Sequence, residues 1–322
     1  MQQYKSLDVF KFTAALLVVA LHTHFLCETE MGYCFRCLCR IAVPFFFVCS
    51  SFLFWKKKSS IKTYTKRILL LYIIWLFIFM PYVVKTFFVN DQSFLHSFLL
   101  FLHGLLFHNT FHASWYLMSS VIAMNLVYYL SRRFSNRSML FIGIGLYILS
   151  LLSSSYYGVI DTIGVGEYYS KFDLIFVPSN SFFVAFIYIV LGKIIAELKV
   201  VLNKPTTALL SSVFLVIGVA EIFLVRSFTR LTDAFIFLPF FTYFFFQWLL
   251  RTDVTVNDEL CRLLRRMSIV IYLCHYFFID LHLSIGMELG SLLFLVVTIE
   301  AVTISAIIVF LSNKFKPLRY LY

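Results

Sequence analysis

Charged residues are scarce in this chain: they make up 13% of its 322 residues, and the 16 acidic residues are outnumbered by 27 lysines and arginines. A soluble domain usually has about 25% charged residues. Hydrophobic residues reach 61%, and the mean hydropathy is +0.90. Such a chain cannot cover its apolar surface in water. This excludes soluble, disordered and collagen-like proteins and small disulfide scaffolds, and it leaves a multi-pass membrane protein.

Proline and glycine are also few, at 6 and 11 residues, and the sequence contains neither a low-complexity linker nor a fixed-period repeat. We therefore expect one domain over residues 1–322. One membrane span takes about 20 residues, so a chain of this length holds roughly ten spans and no large soluble domain. Any chemistry must be carried out by the membrane part itself.

Hydropathy predicts an all-α bundle of ten transmembrane helices. A further apolar stretch at 93–107 is short and contains His96 and His103, so we expect a re-entrant or interfacial helix there. The predicted spans lie near 7–27, 35–55, 68–89, 112–131, 139–154, 181–198, 207–225, 232–250, 268–287 and 290–312.

The formal net charge of +11 is unevenly distributed along the chain, and its distribution indicates the membrane topology. Most lysines and arginines fall in alternate loops, as at 56–58 and 132–133. Cytoplasmic loops carry this excess, so the pattern predicts cytoplasmic termini, an even number of spans and no nucleic-acid partner. The first apolar stretch lacks a cleavage-site pattern, so we expect it to be retained. The expected location is the plasma (inner) membrane.

Cysteines gather after the first span, where Cys34 and Cys37 have CxxC spacing and Cys27 and Cys39 lie nearby. This spacing suits a disulfide or a metal ligand pair. No second CxxC completes a zinc site, so we expect no metal. A disulfide among these cysteines is left open.

Polar residues inside predicted spans are costly and mark candidate sites. In the first span, Lys11 and His22 are eleven residues apart, which places them on one helix face about 16 Å apart along the axis. Asp8 precedes Lys11 by three residues and is positioned to pair with it. Lys11 as a residue that snorkels to the interface and His22 as a packing residue are the alternatives.

Other spans carry further candidates. Arg40 begins the second span at a depth similar to that of His22, and Pro44 is expected to bend that helix; an interfacial anchor is the alternative for Arg40. Ser268, Tyr272 and His275 share one face of the ninth span. At the outer ends of the fourth and sixth spans lie His112, Trp115 and Asn180.

Several segments, in order, resemble the acyltransferase 3 family of integral-membrane acyltransferases over the whole length. They are LDVFKFTAALLVVALHT, RIAVPFFFVCSSFLF, SWYL, SFFVAFIYIVLGKII and SIVIYLCH. The family's motif of a basic residue, ten residues and a histidine corresponds to Lys11 and His22, although most members have arginine first. The lysine form also resembles the membrane portion of the vancomycin-resistance serine racemases. We expect a stand-alone member without a racemase domain.

The resemblance implies transfer of an acyl group, usually acetyl, from cytoplasmic acyl-CoA to a hydroxyl of an extracytoplasmic or lipid-linked glycan. His22 would then be the general base or a transient acyl carrier, and Arg40 would stabilise the oxyanion. Lys11, with Arg67, Arg132 or Arg133, would bind coenzyme A. His112, Trp115, Asn180, Ser268, Tyr272 and His275 would line the substrate region. A transport or sensing module for a small molecule such as an amino acid, and a non-catalytic assembly partner, are the alternatives; the oligomeric state is open.

Overall fold

The computed structural model describes residues 4–26, 29–89, 93–198 and 202–322, and every regular element in those ranges is helical. The predicted all-α class is therefore confirmed. Short 3-10 turns occupy Pro178–Asn180, Arg226–Phe228 and Lys316–Leu321. The helices are α1 (Lys5–His22), α2 (Glu30–Cys39), α3 (Ala42–Lys56), α4 (Ile61–Ile78), α5 (Met80–Phe88), α6 (Phe94–Phe107), α7 (Ser114–Leu130), α8 (Asn136–Ser153), α9 (Tyr157–Thr162), α10 (Gly166–Phe176), α11 (Phe182–Glu197), α12 (Lys204–Val225), α13 (Phe237–Leu250), α14 (Asp258–Ser284) and α15 (Ser291–Leu311).

All ten predicted spans are helical. Six helical segments of the described chain, or seven if the bent pair α4 and α5 forms one span, are long and apolar enough to cross a membrane by length and composition. The other three predicted spans correspond to α1, which carries three charged residues, and to α7 and α13, which are 17 and 14 residues long. The count of ten and the cytoplasmic termini stay predictions.

The predicted span at 68–89 is a broken helix. It begins earlier, at Ile61, and α4 and α5 meet at a bend of 75° at Phe79. Pro81 explains the break, because proline lacks the N–H that would bond to the carbonyl of Phe77 and its ring clashes with that turn. The short apolar stretch after this bend is helix α6, as the sequence predicts.

The chain divides into two compact units. Unit 1 comprises Met1–Cys49, Lys199–Leu224 and Ile236–Tyr322, and α1 packs mainly against α14, which also packs against α15. Small buried residues on α1, such as Ala14 and Ala15, let the two helices approach closely. The single-domain expectation for 1–322 stays a prediction, and Lys199 lies outside the described residues.

Unit 2 comprises Ser50–Leu198 and Val225–Phe235, and its core is α11, which packs against α7 and α8. Every residue of α11 from Phe183 to Lys193 is buried. The Ser51 hydroxyl donates a hydrogen bond of 2.6 Å to the Ile189 carbonyl. Helices α9 and α10 were not expected from hydropathy, and Arg230 holds this region by pairing with Asp173 and by lying 4.2 Å from the centre of the Tyr157 ring.

Candidate active site

An ion cluster lies in the first half of α1. Asp8 is 3% exposed, and its two carboxylate oxygens lie 3.4 Å from the ammonium of Lys11 and 3.3 Å from the guanidinium of Arg265 on α14. The predicted pairing of Asp8 with Lys11 is thus confirmed. The Lys11 side chain is only 13% exposed, so it is not a freely solvated residue at the interface.

A second ion pair lies one turn nearer the start of α1. The ammonium of Lys5 lies 2.8 Å from the Asp258 carboxylate and donates to the Val256 carbonyl at 3.0 Å. The hydrogen bond with Asp258 raises the pKa of Lys5, so the lysine stays charged. Because both side chains are largely exposed, this pair contributes little stability.

His22 ends α1 and lies against two aromatic residues of α14. Its Nδ1 atom is 2.6 Å from the hydroxyl of Tyr276, and its ring stacks on that of His275 with 5.5 Å between centroids. The turn after α1 is held by the residue that precedes α15, because the Gly290 amide donates to the Thr23 carbonyl at 2.8 Å. The histidine is therefore fixed by its packing on α14 and by the anchored turn that follows it.

The tautomer of His22 decides its chemistry. If Nδ1 carries the proton, it donates to the Tyr276 oxygen, and Nε2 is the nitrogen that carries the basic lone pair. His275 is fully buried, and its Nδ1 lies 3.2 Å from the Ile271 carbonyl. Since a carbonyl only accepts, that nitrogen of His275 carries a hydrogen.

The three predicted residues of α14 all face the interior of unit 1. Tyr272 packs against His275 and against Phe46, with 6.2 Å and 5.8 Å between ring centroids. The Ser268 hydroxyl donates to the Arg265 carbonyl at 2.9 Å, which places it one turn from the ion cluster. One stripe of α14 therefore connects the Asp8 cluster with His22.

Arg40 lies in the break between α2 and α3. Pro44 causes this break, because it cannot donate to the Arg40 carbonyl four residues earlier. The helix is interrupted at Arg40, but Glu30–Lys56 still forms one continuous apolar segment, so the bend expected from Pro44 stays a prediction. His24, two residues after His22, lies near the positive charges of Arg36 and Arg40, so the chain just after α1 is in a positive environment.

Three predicted substrate residues belong to unit 2. His112 lies in a turn rather than in the fourth span, because α7 begins only at Ser114, and its ring contacts Tyr82 with 4.7 Å between centroids. The Trp115 backbone amide donates to the Asn109 side-chain oxygen at 3.2 Å. The Asn180 side chain donates to Asp233 at 3.2 Å.

Of the four basic residues predicted to bind coenzyme A, Lys11 lies in unit 1 and the other three lie in unit 2. Arg67, Arg132 and Arg133 are exposed. The Arg132 guanidinium lies 4.8 Å and 5.2 Å from the ring centres of Tyr128 and Tyr129. Stacked arginines of this kind are less mobile than free ones, which favours phosphate recognition.

Two residues of the site escaped sequence reasoning. Tyr276 directly follows His275, so it does not continue the helical spacing that places Ser268, Tyr272 and His275 on one face. A tyrosine beside a histidine in a span is nevertheless unusual. Arg265 has no distinguishing pattern in the sequence, because its pairing with Asp8 depends on the packing of α14 against α1.

The cysteines of the described chain are free thiols, including Cys34 and Cys37, while Cys27 lies outside the described residues. None of these thiols forms a disulfide in the parts that the structure describes. Within the same residues, no group of three or more His, Cys, Asp or Glu is arranged to hold a metal ion.

One family of known proteins matches nearly the whole chain. A family described as an acyltransferase domain, acyltransferase 3, matches residues 4–310 of the chain. The chain belongs to the acyltransferase 3 family. The match includes both the Lys11 and His22 positions and the α14 stripe that contacts them.

Curated relatives carry different names. An amino-acid racemase of Enterococcus faecalis is 29% identical over 61% of this chain and 28% of its own length. A serine/alanine racemase of Enterococcus gallinarum is 23% identical over 77% of this chain and 37% of its own length. The chain therefore spans about a third of the curated relatives it matches. No solved structure matches it.

Proposed function

We propose that this membrane protein is an O-acyltransferase that moves an acyl group, acetyl in the first instance, from cytoplasmic acyl-CoA to a hydroxyl of an extracytoplasmic or lipid-linked glycan. The plasma (inner) membrane is the proposed location. The observation that carries this proposal is the His22 imidazole, which is held at the end of α1 by the Tyr276 hydroxyl at 2.6 Å. A base oriented by a third group is the arrangement that acyl transfer needs.

The reaction follows from that arrangement. Nδ1 of His22 donates to Tyr276, and Nε2 removes the proton from the acceptor hydroxyl while its oxygen attacks the thioester carbonyl carbon. The tetrahedral intermediate then collapses, the carbon–sulfur bond breaks, and the imidazolium returns the proton to the departing thiolate. The products are the ester and free coenzyme A, so no proton is consumed or released overall.

Charge near His22 assists these steps. The carbonyl end of α1 has a partial negative charge, which stabilises the imidazolium that forms in the transition state. Arg40 is the proposed partner of the oxyanion, since a fixed cation stabilises charge that develops on the thioester oxygen. Its electrostatic contact with His24, two residues after the base, supports this assignment.

The ion cluster supports an anionic donor. Lys11 and Arg265 share the single carboxylate of Asp8, so the cluster has one uncompensated positive charge. We assign Lys11 to the phosphates of coenzyme A, with Arg67, Arg132 and Arg133 as further contacts. Lys11 and His22 lie about 16 Å apart along α1, and the pantetheine arm of coenzyme A is the extended group that would join them.

The acceptor is assigned to the remaining predicted residues. Trp115 is a flat ring on which a sugar can stack, and His112 and Asn180 supply polar groups for hydroxyls. Ser268, Tyr272 and His275 are assigned to the path of the thioester along α14. These roles rest on residue chemistry and on the family resemblance.

A second candidate is a module that moves or senses an amino acid, without acyl transfer. The names of the relatives favour it, because they are called an amino-acid racemase and a serine/alanine racemase. In this case His22 and Arg40 would line an amino-acid path, and acyl-CoA would not bind.

Two measurements on purified protein in nanodiscs separate the candidates. Equilibrium binding of radiolabelled acetyl-CoA is expected for the acyltransferase, and label should move to a hydroxyl-containing fraction of an envelope extract. Uptake of labelled L-serine by proteoliposomes, with no acetyl-CoA binding, would replace this proposal with the second candidate.

A further inference from the structure

A groove of about 510 Å³ runs along α4 in unit 2, on the side that faces α7. Its α4 wall is one stripe of the helix: Lys62 and Lys66 come first, and Leu69, Leu70 and Ile73 follow at the spacing of successive turns. The groove is therefore basic at one end and apolar along the rest of its length.

The floor of the groove is a fixed contact between the two helices. The Asn125 side chain of α7 donates to the Thr65 hydroxyl of α4 at 2.8 Å and to the Val121 carbonyl at the same distance. Because the amide satisfies polar groups of both helices, the groove has a preformed shape. From Lys62 to Ile73 the axial distance is about 16 Å.

The basic end of the groove carries positive charge that is not ion-paired within the described part of the chain. Lys62 and Lys66 are exposed, and neither forms an ion pair within the residues that the structure describes. Tyr129 lines the same groove, and the Arg132 guanidinium stacks 5.2 Å from its ring centre. Two free ammonium groups, with a third cation beside them, therefore border an apolar channel.

We propose that this groove binds one anionic phospholipid of the inner leaflet, with its phosphate on Lys62 and Lys66 and an acyl chain along Leu69, Leu70 and Ile73. The charge bias of the loops predicts that α4 begins on the cytoplasmic side, where such lipids meet basic residues. Basic pockets between transmembrane helices on that side are typical sites for anionic head groups. None of the residues that line the groove is assigned to acyl transfer.

The test is native mass spectrometry of the full-length protein with phosphatidylglycerol, with phosphatidylcholine of the same chains as the uncharged comparison. Lys62→Gln with Lys66→Gln should weaken phosphatidylglycerol binding roughly 30-fold, since each lysine near an anionic lipid surface contributes about fivefold. Lys56→Gln with Lys57→Gln removes the same charge from the neighbouring loop, outside the groove, and should have little effect. Equal losses in both double variants, or equal binding of the two lipids, would overturn the proposal.

Two further arms separate the lipid from other phosphate sources. Ile73→Trp fills the apolar end and should weaken lipid binding although both lysines are intact; unchanged binding would show that no acyl chain lies in the groove. Millimolar inorganic phosphate and coenzyme A should leave the bound phosphatidylglycerol in place. Displacement by coenzyme A would assign the groove to the acyl donor, and displacement by phosphate would reduce it to a simple anion site.

Discussion

In the proposed mechanism Tyr276 sets the orientation of His22. Its hydroxyl lies 2.6 Å from Nδ1, and the ring of His275 stacks on the imidazole. In the proposed mechanism the tyrosine touches only the base, and it is therefore a positioning residue. Its removal should disturb the chemical step and leave donor binding intact.

We expect Tyr276→Phe to lower kcat roughly 10- to 100-fold, the range that follows from loss of a hydrogen bond to a group that becomes charged. The KM for acetyl-CoA should change little. Tyr147→Phe is the contrasting variant: its hydroxyl donates to the Phe235 carbonyl at 2.7 Å in unit 2, so its loss should lower thermal stability and leave kcat unchanged. A raised KM with normal kcat in Tyr276→Phe would contradict the positioning role.

The carboxylate of Asp8 is the counter-charge of two cations, Lys11 and Arg265. Replacing Asp8 with asparagine removes the counter-charge of Lys11 and Arg265 at a buried position, where the Asp8 side chain is 5% exposed. We expect a loss of about 1–3 kcal/mol in the free energy of unfolding, less than for a fully buried pair because Arg265 is partly solvated. Thermal melting in detergent measures it.

Asp258→Asn is the matched control for Asp8→Asn. It breaks the ion pair between Lys5 and Asp258, whose side chains are 37% and 57% exposed, so the loss should be clearly smaller than for Asp8→Asn. Equal melting temperatures for the two variants would show that the Asp8 cluster is no more than a surface pair.

Helix packing distinguishes two glycines of α8 that look alike in sequence. A Cβ atom on Gly143 would lie 3.2 Å from the Ile187 Cα of α11, whereas one on Gly145 would have no atom within 4 Å. Gly143 therefore permits the close approach of α8 to α11, and Gly145 faces open space.

We expect Gly143→Leu to destabilise the protein by about 1–3 kcal/mol through overpacking. Gly145→Leu should be neutral or slightly stabilising, because leucine is a better helix former than glycine. Melting temperatures of the two variants test this difference. A similar loss for both would mean that α8 does not pack on α11 as described.

Much of the element order could be predicted from the sequence, because long apolar runs in a low-charge chain leave few alternatives to helices. The break between α4 and α5 could have been found from Pro81. Helices α9 and α10 could not have been predicted, because their stretch is short and rich in glycine, serine and tyrosine. Arg230 holds that stretch through contacts with residues distant in sequence. At the site, Lys11 and Asp8 are local neighbours, whereas Arg265 and Tyr276 meet α1 only through tertiary packing.

At the scale of the whole molecule, the charge bias predicts which side of the membrane each loop faces. We expect Lys171→Cys, whose native side chain is 67% exposed, to react with a membrane-impermeant maleimide in intact cells. Lys57→Cys should react only after the membrane is opened. The cysteines of the described chain are buried, so the unmodified protein provides the background. Reaction of Lys57→Cys in intact cells would invert the predicted topology.

The central claim is that His22 performs acyl transfer within the membrane. The most direct test is acetyl-CoA turnover by the purified protein in nanodiscs with an envelope extract, comparing the unmodified chain with His22→Ala and with His96→Ala. His96 is an exposed histidine of α6 and serves as the control. We predict that acetyl-CoA turnover survives in His96→Ala. In His22→Ala it should fall by at least about 100-fold, as expected for loss of a general base. Undiminished turnover in His22→Ala would contradict it.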